Sequence, residues 1–235
     1  MTLRIDLVTG FPDMLETVLN KSMIKKGRDK NAVAIHLHNL RDFTEDKHKT
    51  IDDYPYGGGP GMVLKIEPFV KCLEKINNEA DVSKADIILM TPGGKTFTQK
   101  DAIKLSLKKH LIFLCGHYKG IDARIYDFCK IHEISIGDYI LSSGEISALV
   151  VVDAIVRLMP GVLKDIDSAW TDSFSDYLLD NPYYTRPEEF RGVKIPQVLI
   201  TGNHEKINEW RLQQKKKITE QNRPDLYKKY LKTIK

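Results

Sequence analysis

Three apolar segments in the middle of the chain each run into a turn that contains glycine, and this repeated pattern is the first place to look for chemistry. The segments end at Met90, Cys115 and Ile136. Neighbouring strands of a parallel sheet end at one edge, and ligands of α/β proteins bind beyond those carboxyl ends. The pattern therefore predicts a cofactor site formed by the three turns.

The glycines do not match the two common phosphate-binding motifs. The glycine-rich run at 57–61 is not followed by the Lys-Ser/Thr pair of a phosphate-binding loop, and alone it is more typical of a flexible turn. Gly116 and Gly120 are separated by three residues, so they do not form the GxGxxG fingerprint of dinucleotide-binding folds. A nicotinamide-dependent enzyme is therefore disfavoured.

Other reactive side chains give weaker signals. His36 and His38 alternate on a predicted strand, but no third metal ligand is placed beside them, which favours hydrogen-bonded or solvent-facing histidines. Ser142 and Ser143 lack the G-x-S-x-G pattern of a serine hydrolase. Cys115 lies in an apolar segment, where a thiol behaves as an inert core residue.

Aspartates crowd the stretch from residue 165 to residue 180. Such a cluster is most often a solvated acidic loop, but a carboxylate on a segment beside a cofactor pocket could act as a general base. The cluster consists of Asp165, Asp167, Asp172, Asp176 and Asp180.

The elements that must position these residues alternate between strand and helix patterns, which predicts an α/β fold with a mostly parallel sheet. In the last predicted helix, Ile146, Leu149, Val150 and Val151 make the surface apolar almost all round, so it must be buried on more than one side. A long loop is predicted at 41–62 and a turn at 91–94. Strands are predicted at 3–8, 32–37, 86–90, 111–115 and 133–136, and helices at 11–23, 67–76, 99–107, 121–129 and 145–158.

Positive charge is concentrated in the last quarter of the chain. The formal net charge is +4, whereas residues 177–235 contain 13 Lys or Arg against 7 Asp or Glu. The run Lys215, Lys216 and Lys217 is either a solvated helix face or part of a surface that binds a polyanion. Short helical patterns predict a second, small helical domain at 177–235, after a polar, flexible linker at 162–176.

Composition and length are those of a globular protein: 235 residues, 42% hydrophobic and 29% charged. No apolar run reaches the roughly 18–20 residues that span a bilayer, and residues 1–10 lack the features of a signal peptide. The three cysteines have no CxxC spacing, which favours reduced thiols. We therefore predict a cytoplasmic protein without membrane partners.

Several strings, taken together, resemble the bacterial tRNA (guanine-N1)-methyltransferases, the TrmD type of the SPOUT class. Each string alone is weak, but their order and spacing cover nearly the whole chain. They are IDLVT (5–9), FP (11–12), DD (52–53), YGGGPGM (56–62), TPGG (91–94), CGHYKGID (115–122), EISIGDYIL (133–141), GE (144–145), RLMPGVL (157–163), DSF (172–174), LLD (178–180), YTRP (184–187) and TGNH (201–204).

The resemblance implies transfer of a methyl group from S-adenosylmethionine to N1 of guanine 37, beside the anticodon of tRNA. It implies a SPOUT catalytic domain with a deep trefoil knot at 1–161, a tRNA-binding domain at 177–235, and a homodimer with the cofactor pocket at its interface. No metal site is predicted, and the sequence gives no sign of whether Mg²⁺ is needed.

The same resemblance assigns roles to individual residues. Asp172 matches the general base and Arg157 its basic partner, which could stabilise negative charge developing at guanine O6. Asp180 and the three lysines at 215–217 are assigned to tRNA binding. The cofactor-binding residues would be Leu89, Met90, Thr91, Pro92, Gly116, Tyr118, Gly120, Ile136, Gly137, Asp138, Tyr139, Ile140, Leu141 and Gly144.

The chain departs from the family pattern at four positions. Lys119 stands where Glu is usual, and Ser143 where Gly is usual; His117 replaces a common Arg and Tyr183 a common His. None of these changes touches the proposed acid–base pair.

Two other functions stay open at this stage. One is a SPOUT methyltransferase that acts on another RNA position. The other is a non-catalytic RNA-binding module in which the pocket is vestigial. Asp172 and Arg157 together argue against the second, since binding alone needs neither.

Overall fold

The computed structural model describes residues 2–164 and 172–234 and divides the chain into two compact units, Met1–Ile166 and Asp167–Lys235. The predicted linker at 162–176 overlaps residues 165–171, which lie outside the described residues. Val162, at the start of that predicted linker, is fully buried in the core of the first unit.

Five parallel strands form the main sheet of the first unit, which confirms the predicted α/β fold. Their order across the sheet is β2-β1-β6-β5-β7. Every residue of β6 is buried, as expected for a central strand with both faces covered. The trefoil knot stays a prediction. The strands are β1 Leu3–Thr9, β2 Val33–Asn39, β3 Asp52–Asp53, β4 Val63–Leu64, β5 Asp86–Thr96, β6 His110–Cys115 and β7 Ile131–Ser135.

Helices cover both faces of this sheet and create two apolar cores. One core joins Leu7 and Phe113 of the sheet to Val152 of α6, and the other joins Ile112 to Phe69 of α3. Side chains of the central strands pack into both cores, and this packing fixes the positions of the carboxyl ends of these strands. The helices are α1 Asp13–Leu19, α2 Ser22–Asp29, α3 Ile66–Glu79, α4 Gln99–Ser106, α5 Ile125–Phe128 and α6 Gly144–Val156.

The prediction of a single helix at 11–23 is wrong, because the chain breaks between α1 and α2. The side chain of Asn20 donates to the carbonyl of Glu16 and accepts from Arg28, so it satisfies groups at the break. Ser22 has a φ of 49°, which an α-helix cannot accommodate. The hydrogen bonds of the Asn20 side chain thus outweigh the apolar periodicity that predicted one continuous helix.

Two further predictions near the strand ends are corrected. The turn predicted at 91–94 is a bulge within β5, whose pairing with β7 shifts register between Met90 and Lys95. The helix predicted at 121–129 is only the short α5, because Ile121 pairs with Leu64 in an extended bridge instead.

The loop predicted at 41–62 is more ordered than its lack of periodicity indicated. It begins in a 3₁₀ turn at Leu40–Phe43, and Asp52–Asp53 pairs with Val63–Leu64. Ile51 is buried in the second core, and its carbonyl accepts from Lys65. The buried side chain of Ile51 and the pairing of the two short strands therefore anchor the segment on both sides of the glycine run.

The second unit is largely helical, as its sequence predicted. It contains α7 His204–Asn222, α8 Pro224–Thr233 and a short hairpin, β8 Glu189–Phe190 with β9 Val193–Lys194. Asn203 caps α7 by accepting from the backbone of Lys206, and Pro224 opens α8. Across the described ranges, no helix combines the length and apolarity needed to cross a bilayer.

Candidate active site

The carboxyl ends of β5, β6 and β7 meet around a cavity of about 570 Å³. These three strands are neighbours in the sheet, so the turns that follow Met90, Cys115 and Ile136 come together in space. The volume lies within the usual range for small-molecule sites. The position of the cavity agrees with the place where the sequence predicted a cofactor.

The structure brings together every predicted cofactor residue except Asp138. Their role in binding a cofactor stays a prediction. Ten other residues also line the cavity, and sequence reasoning had singled out His117, Lys119 and Ser143 among them only as departures or weak candidates. The predicted residues at the cavity are Leu89, Met90, Thr91, Pro92, Gly116, Tyr118, Gly120, Ile136, Gly137, Tyr139, Ile140, Leu141 and Gly144, and the additional ones are His117, Lys119, Ile121, Ala123, Tyr126, Ile134, Ser135, Ser142, Ser143 and Ser147.

The start of α6 is locked against the turn that follows β6. The backbone of Gly144 donates to the carbonyl of Gly116 at 2.7 Å, and His117 pairs with Ser143 in a bridge. A Cβ atom at position 144 would lie only 2.8 Å from the backbone nitrogen of Gly116. Glycine is therefore required for this close approach, which closes one wall of the cavity.

The glycine-rich segment is joined to the same wall by backbone hydrogen bonds. Lys119 donates to the carbonyl of Met62 at 3.0 Å, and Leu64 donates to the carbonyl of Gly120 at 3.0 Å. Asp122 in turn donates to the carbonyl of Leu64. The segment that follows the glycine run thus lies alongside the turn at 116–120, far from it in sequence but next to it in space.

Ser143 is a buried polar group that faces the cavity without a hydrogen-bond partner among the described residues. It is 6% exposed, and its Oγ is unsatisfied. Leaving a buried hydroxyl unpaired costs about 1–3 kcal/mol, so such a group indicates a missing partner. A ligand that combines apolar surface with hydrogen-bonding groups fits this lining.

Two aromatic residues add polar character to the rim. Tyr126 donates to Glu133, and this hydrogen bond raises the pKa of Tyr126 to about 12. The ring of His117 lies 4.6 Å from that of Phe11 and 4.5 Å from that of Tyr118, and its Nδ1 accepts from the Tyr118 backbone. No sequence pattern indicated the Tyr126–Glu133 and Phe11–His117 contacts, because each joins residues from different segments of the chain.

The two predicted acid–base residues belong to different units. Arg157 directly follows α6 in the first unit and is half-buried, but it does not line the cavity. Asp172 lies in the second unit and is also half-buried. Their assignment to catalysis stays a prediction.

Asp180 is the centre of a hydrogen-bond network inside the second unit. Its carboxylate accepts from Tyr183 at 2.7 Å and from the backbone of Asn181, and it pairs with Lys215 at 3.2 Å. Burial opposes ionisation, but these contacts lower the pKa of Asp180 below its ordinary value. Its backbone also donates to the Oγ of Ser173, the residue after Asp172.

The three predicted phosphate-binding lysines occupy different environments. Lys215 is mostly buried in its pair with Asp180, and Lys216 lies over the ring of Tyr230 at 5.7 Å. Lys217 is exposed. The three lysines therefore do not form one uniform charged face. Lys217 is the most exposed of them and so the most accessible to a polyanion.

Within the described ranges, no group of three or more His, Cys, Asp or Glu side chains is placed to hold a metal ion. His38 is buried and donates to Asp6, and His36 is exposed, in agreement with the preference for hydrogen-bonded or solvent-facing histidines. Cys115 is a free thiol whose pKa is raised by burial, which confirms an inert core residue.

Comparison with known families decides where this chain belongs. A family model described as tRNA (Guanine-1)-methyltransferase TrmD matches residues 3–229, nearly the whole chain. The chain belongs to the TrmD family. The resemblance carried by the thirteen strings is thereby confirmed.

Relatives of this TrmD-family chain align with nearly all of its length. A tRNA (guanine-N(1)-)-methyltransferase of Bacteroides fragilis is 51% identical over 224 residues, which cover 95% of this chain and 99% of the relative. Proteins of the same name from Dictyoglomus turgidum and Listeria innocua are 51% and 47% identical, cover 97% of this chain, and are themselves covered to 91% and 93%.

Proposed function

We propose that this chain transfers a methyl group from S-adenosylmethionine to N1 of guanine 37 in tRNA. The observation that carries the proposal is the family match over residues 3–229. The cavity at the ends of β5, β6 and β7 supports it, because that cavity gathers all but one of the residues expected to contact the cofactor.

The cavity residues suit S-adenosylmethionine by shape and chemistry. The apolar side chains of Leu89, Ile136 and Leu141 offer contacts to the adenosine part, and the unpaired Oγ of Ser143 offers a hydrogen bond. When bound, the sulfonium group of the cofactor supplies an activated methyl group. Backbone groups of the three turns would recognise adenine without a charged side chain.

The protein's own chemical task is to make guanine N1 nucleophilic. N1 carries a proton and is a poor nucleophile until this proton is removed, and N1–H is a much weaker acid than a carboxylic acid. We assign proton removal to Asp172 and stabilisation of the charge at O6 to Arg157. Asp180 supports this assignment as a positioning residue, because its backbone holds Ser173, next to Asp172.

A homodimer follows from the same proposal and from an apolar surface on the first unit. Ile146 and Val150 on α6 are each 47% exposed, although the helix around them is strongly apolar. Met14 and Val18 on α1, which packs against α6, are 42% and 44% exposed. A second copy of the chain would cover these side chains and remove them from water.

The second unit is assigned to tRNA. Its surplus of Lys and Arg favours phosphate contacts, with Lys217 as the most accessible member of the lysine run. An enzyme that modifies tRNA beside the anticodon works where tRNA is processed, so we place this chain in the cytoplasm.

Methyl transfer from labelled S-adenosylmethionine to total tRNA, followed by nucleoside analysis, tests the proposal. We expect 1-methylguanosine, and tRNA in which guanine 37 is replaced should not be methylated. A different modified nucleoside would assign the chain to another RNA position. Tight tRNA binding with no methyl transfer would favour a binding module.

A further inference from the structure

Lys119 is the one cavity-lining residue, among those described, that carries a Lys, Arg, Asp or Glu side chain. It is exposed at the rim, and none of the described carboxylates forms an ion pair with it. A cation that lines a cavity with no other Lys, Arg, Asp or Glu side chain makes the electrostatic potential there more positive. It therefore favours a ligand that presents negative charge at that end.

The glycine-rich segment determines where the Lys119 side chain lies. Its backbone donates to the carbonyl of Met62, and its aliphatic stem runs along Gly61. A Cβ atom at position 61 would lie 3.1 Å from both Cγ and Cε of Lys119, and Gly61 has a φ of 99°. The absence of a side chain at Gly61 thus leaves room for the aliphatic stem of Lys119, a residue that lines the cavity.

The charge pattern of the proposed cofactor gives this lysine a specific partner. S-adenosylmethionine carries two positive groups, the sulfonium and the ammonium, and one negative group, the carboxylate of its amino-acid part. A lysine in the cavity would repel the first two, whereas it would attract the third.

We propose that the ammonium group of Lys119 binds the carboxylate of the cofactor's amino-acid part and so orients this part toward Gly61. The inference rests on the proposed function, because it takes S-adenosylmethionine as the ligand. Lys119 is then a binding and orienting residue that discriminates ligands by their carboxylate, and the glycine run supports its side chain.

Calorimetric titration with two ligands that differ only in the carboxyl group measures how much this group contributes to the binding affinity. The first is S-adenosylhomocysteine, and the second is the same molecule without its carboxyl group. Lys119→Met removes the charge and keeps most of the stem. We expect S-adenosylhomocysteine to bind the variant about five-fold more weakly, the upper end for an exposed charge pair. The decarboxylated ligand keeps the ammonium group that Lys119 repels, so it should bind the variant no more weakly than wild type.

Two further variants complete the experiment. Lys119→Arg keeps the positive charge and should retain most of the affinity for S-adenosylhomocysteine. Lys104→Met removes an exposed lysine of α4, away from the cavity lining, and should change neither affinity. An undiminished affinity of the decarboxylated ligand for Lys119→Met also shows that the variant's cavity is intact.

Three results would overturn the inference. They are an unchanged affinity of Lys119→Met for S-adenosylhomocysteine, an equal loss for both ligands, and a loss of tRNA affinity alone, which would assign Lys119 to an RNA phosphate. If wild type bound neither ligand, the proposed function itself would fail, and the inference with it.

Discussion

At the scale of single residues, the proposed chemistry depends on one carboxylate. Asp172 has no motif of its own beyond the string DSF, and the aspartate cluster around it offers several alternatives. The structure shows the environment of one of these alternatives. Asp180 is engaged by Tyr183, Asn181 and Lys215, which leaves its carboxylate poorly placed to accept a substrate proton.

We predict that Asp172→Asn lowers the single-turnover rate of methyl transfer by about 10²–10⁴-fold, the usual contribution of a general base. Its affinity for S-adenosylhomocysteine should not change, because the turns of the first unit form the cofactor cavity. Asp176→Asn, an exposed neighbour, serves as the matched control and should keep the wild-type rate. A variant rate above about a tenth of wild type would contradict the assignment.

Asp6 is a buried carboxylate that serves the fold of the first unit. It accepts from His38 and His110 at 2.7 Å each and pairs with Arg4 at 2.7 Å. Burial alone would raise the pKa of Asp6, but these hydrogen bonds hold it well below its ordinary range. In an unfolded chain the pKa of Asp is about 3.9. The ionised Asp6 carboxylate therefore stabilises the fold above that pH, and this stabilisation is lost as the pH falls.

We predict that Asp6→Asn lowers the free energy of unfolding at pH 7 by about 3 kcal/mol, since it breaks a buried ion pair. Below about pH 4 the difference between wild type and variant should shrink, by up to about 1.4 kcal/mol per pH unit. Urea unfolding across this pH range measures both quantities. A difference that stays constant from pH 7 to pH 2 would show that Asp6 ionisation does not contribute.

At the scale of elements, α7 supports the segment that carries Asp172. Thr219 is fully buried, accepts from the backbone of Leu179 at 2.7 Å and donates to the carbonyl of Lys215. Lys215 pairs with Asp180 from the same helix. We therefore propose that the lysine run has two functions on two faces of one helix, because a helix turns by about 100° per residue.

We predict that single substitutions separate these two functions. Lys217→Ala should weaken tRNA binding and reduce the slope of log affinity against log salt by about 1, as for one lost phosphate contact. Lys215→Ala should instead reduce the methyl-transfer rate at saturating tRNA by about ten-fold, or about 1.4 kcal/mol of barrier. Filter binding at several salt concentrations and single-turnover kinetics measure the two effects. Identical behaviour of the two variants would contradict this division.

At the scale of the whole molecule, the apolar face of α1 and α6 is the strongest sign of assembly. A helix that is apolar on nearly every side is usually buried all round. In one copy of the chain, however, α6 leaves Ile146 and Val150 half-exposed. The proposed dimer would complete the burial that a single chain leaves unfinished.

We predict that Ile146→Asp combined with Val150→Asp converts the dimer into a monomer and abolishes methyl transfer. Burying two unpaired carboxylates at the interface would cost more free energy than dimerisation recovers. Sedimentation velocity at micromolar concentration measures the oligomeric state of wild type and variant. Leu107→Asp, at an exposed apolar residue after α4, is the control and should stay dimeric. A wild-type monomer with full activity would refute the dimer.

The sequence by itself determined the five strands of the main sheet, their parallel arrangement and the glycine-bearing segments that follow Met90, Cys115 and Ile136. Alternating and continuous apolar patterns are local, and a parallel sheet brings its carboxyl ends to one edge whatever the helices do. The family strings added the residues expected around the cavity. The sheet and the cavity residues could be predicted because the patterns that indicate them lie within short stretches of sequence.

Only the tertiary structure decided which polar residues are satisfied and which are left to bind a ligand. The break between α1 and α2 depends on Arg28 reaching Asn20, and Lys215 is removed from the charged surface by Asp180, 35 residues away. Ser143 is buried and unpaired because α6 closes against β6. Such contacts join residues that are distant in sequence, and each polar group's free energy depends on its partner, which no local pattern contains.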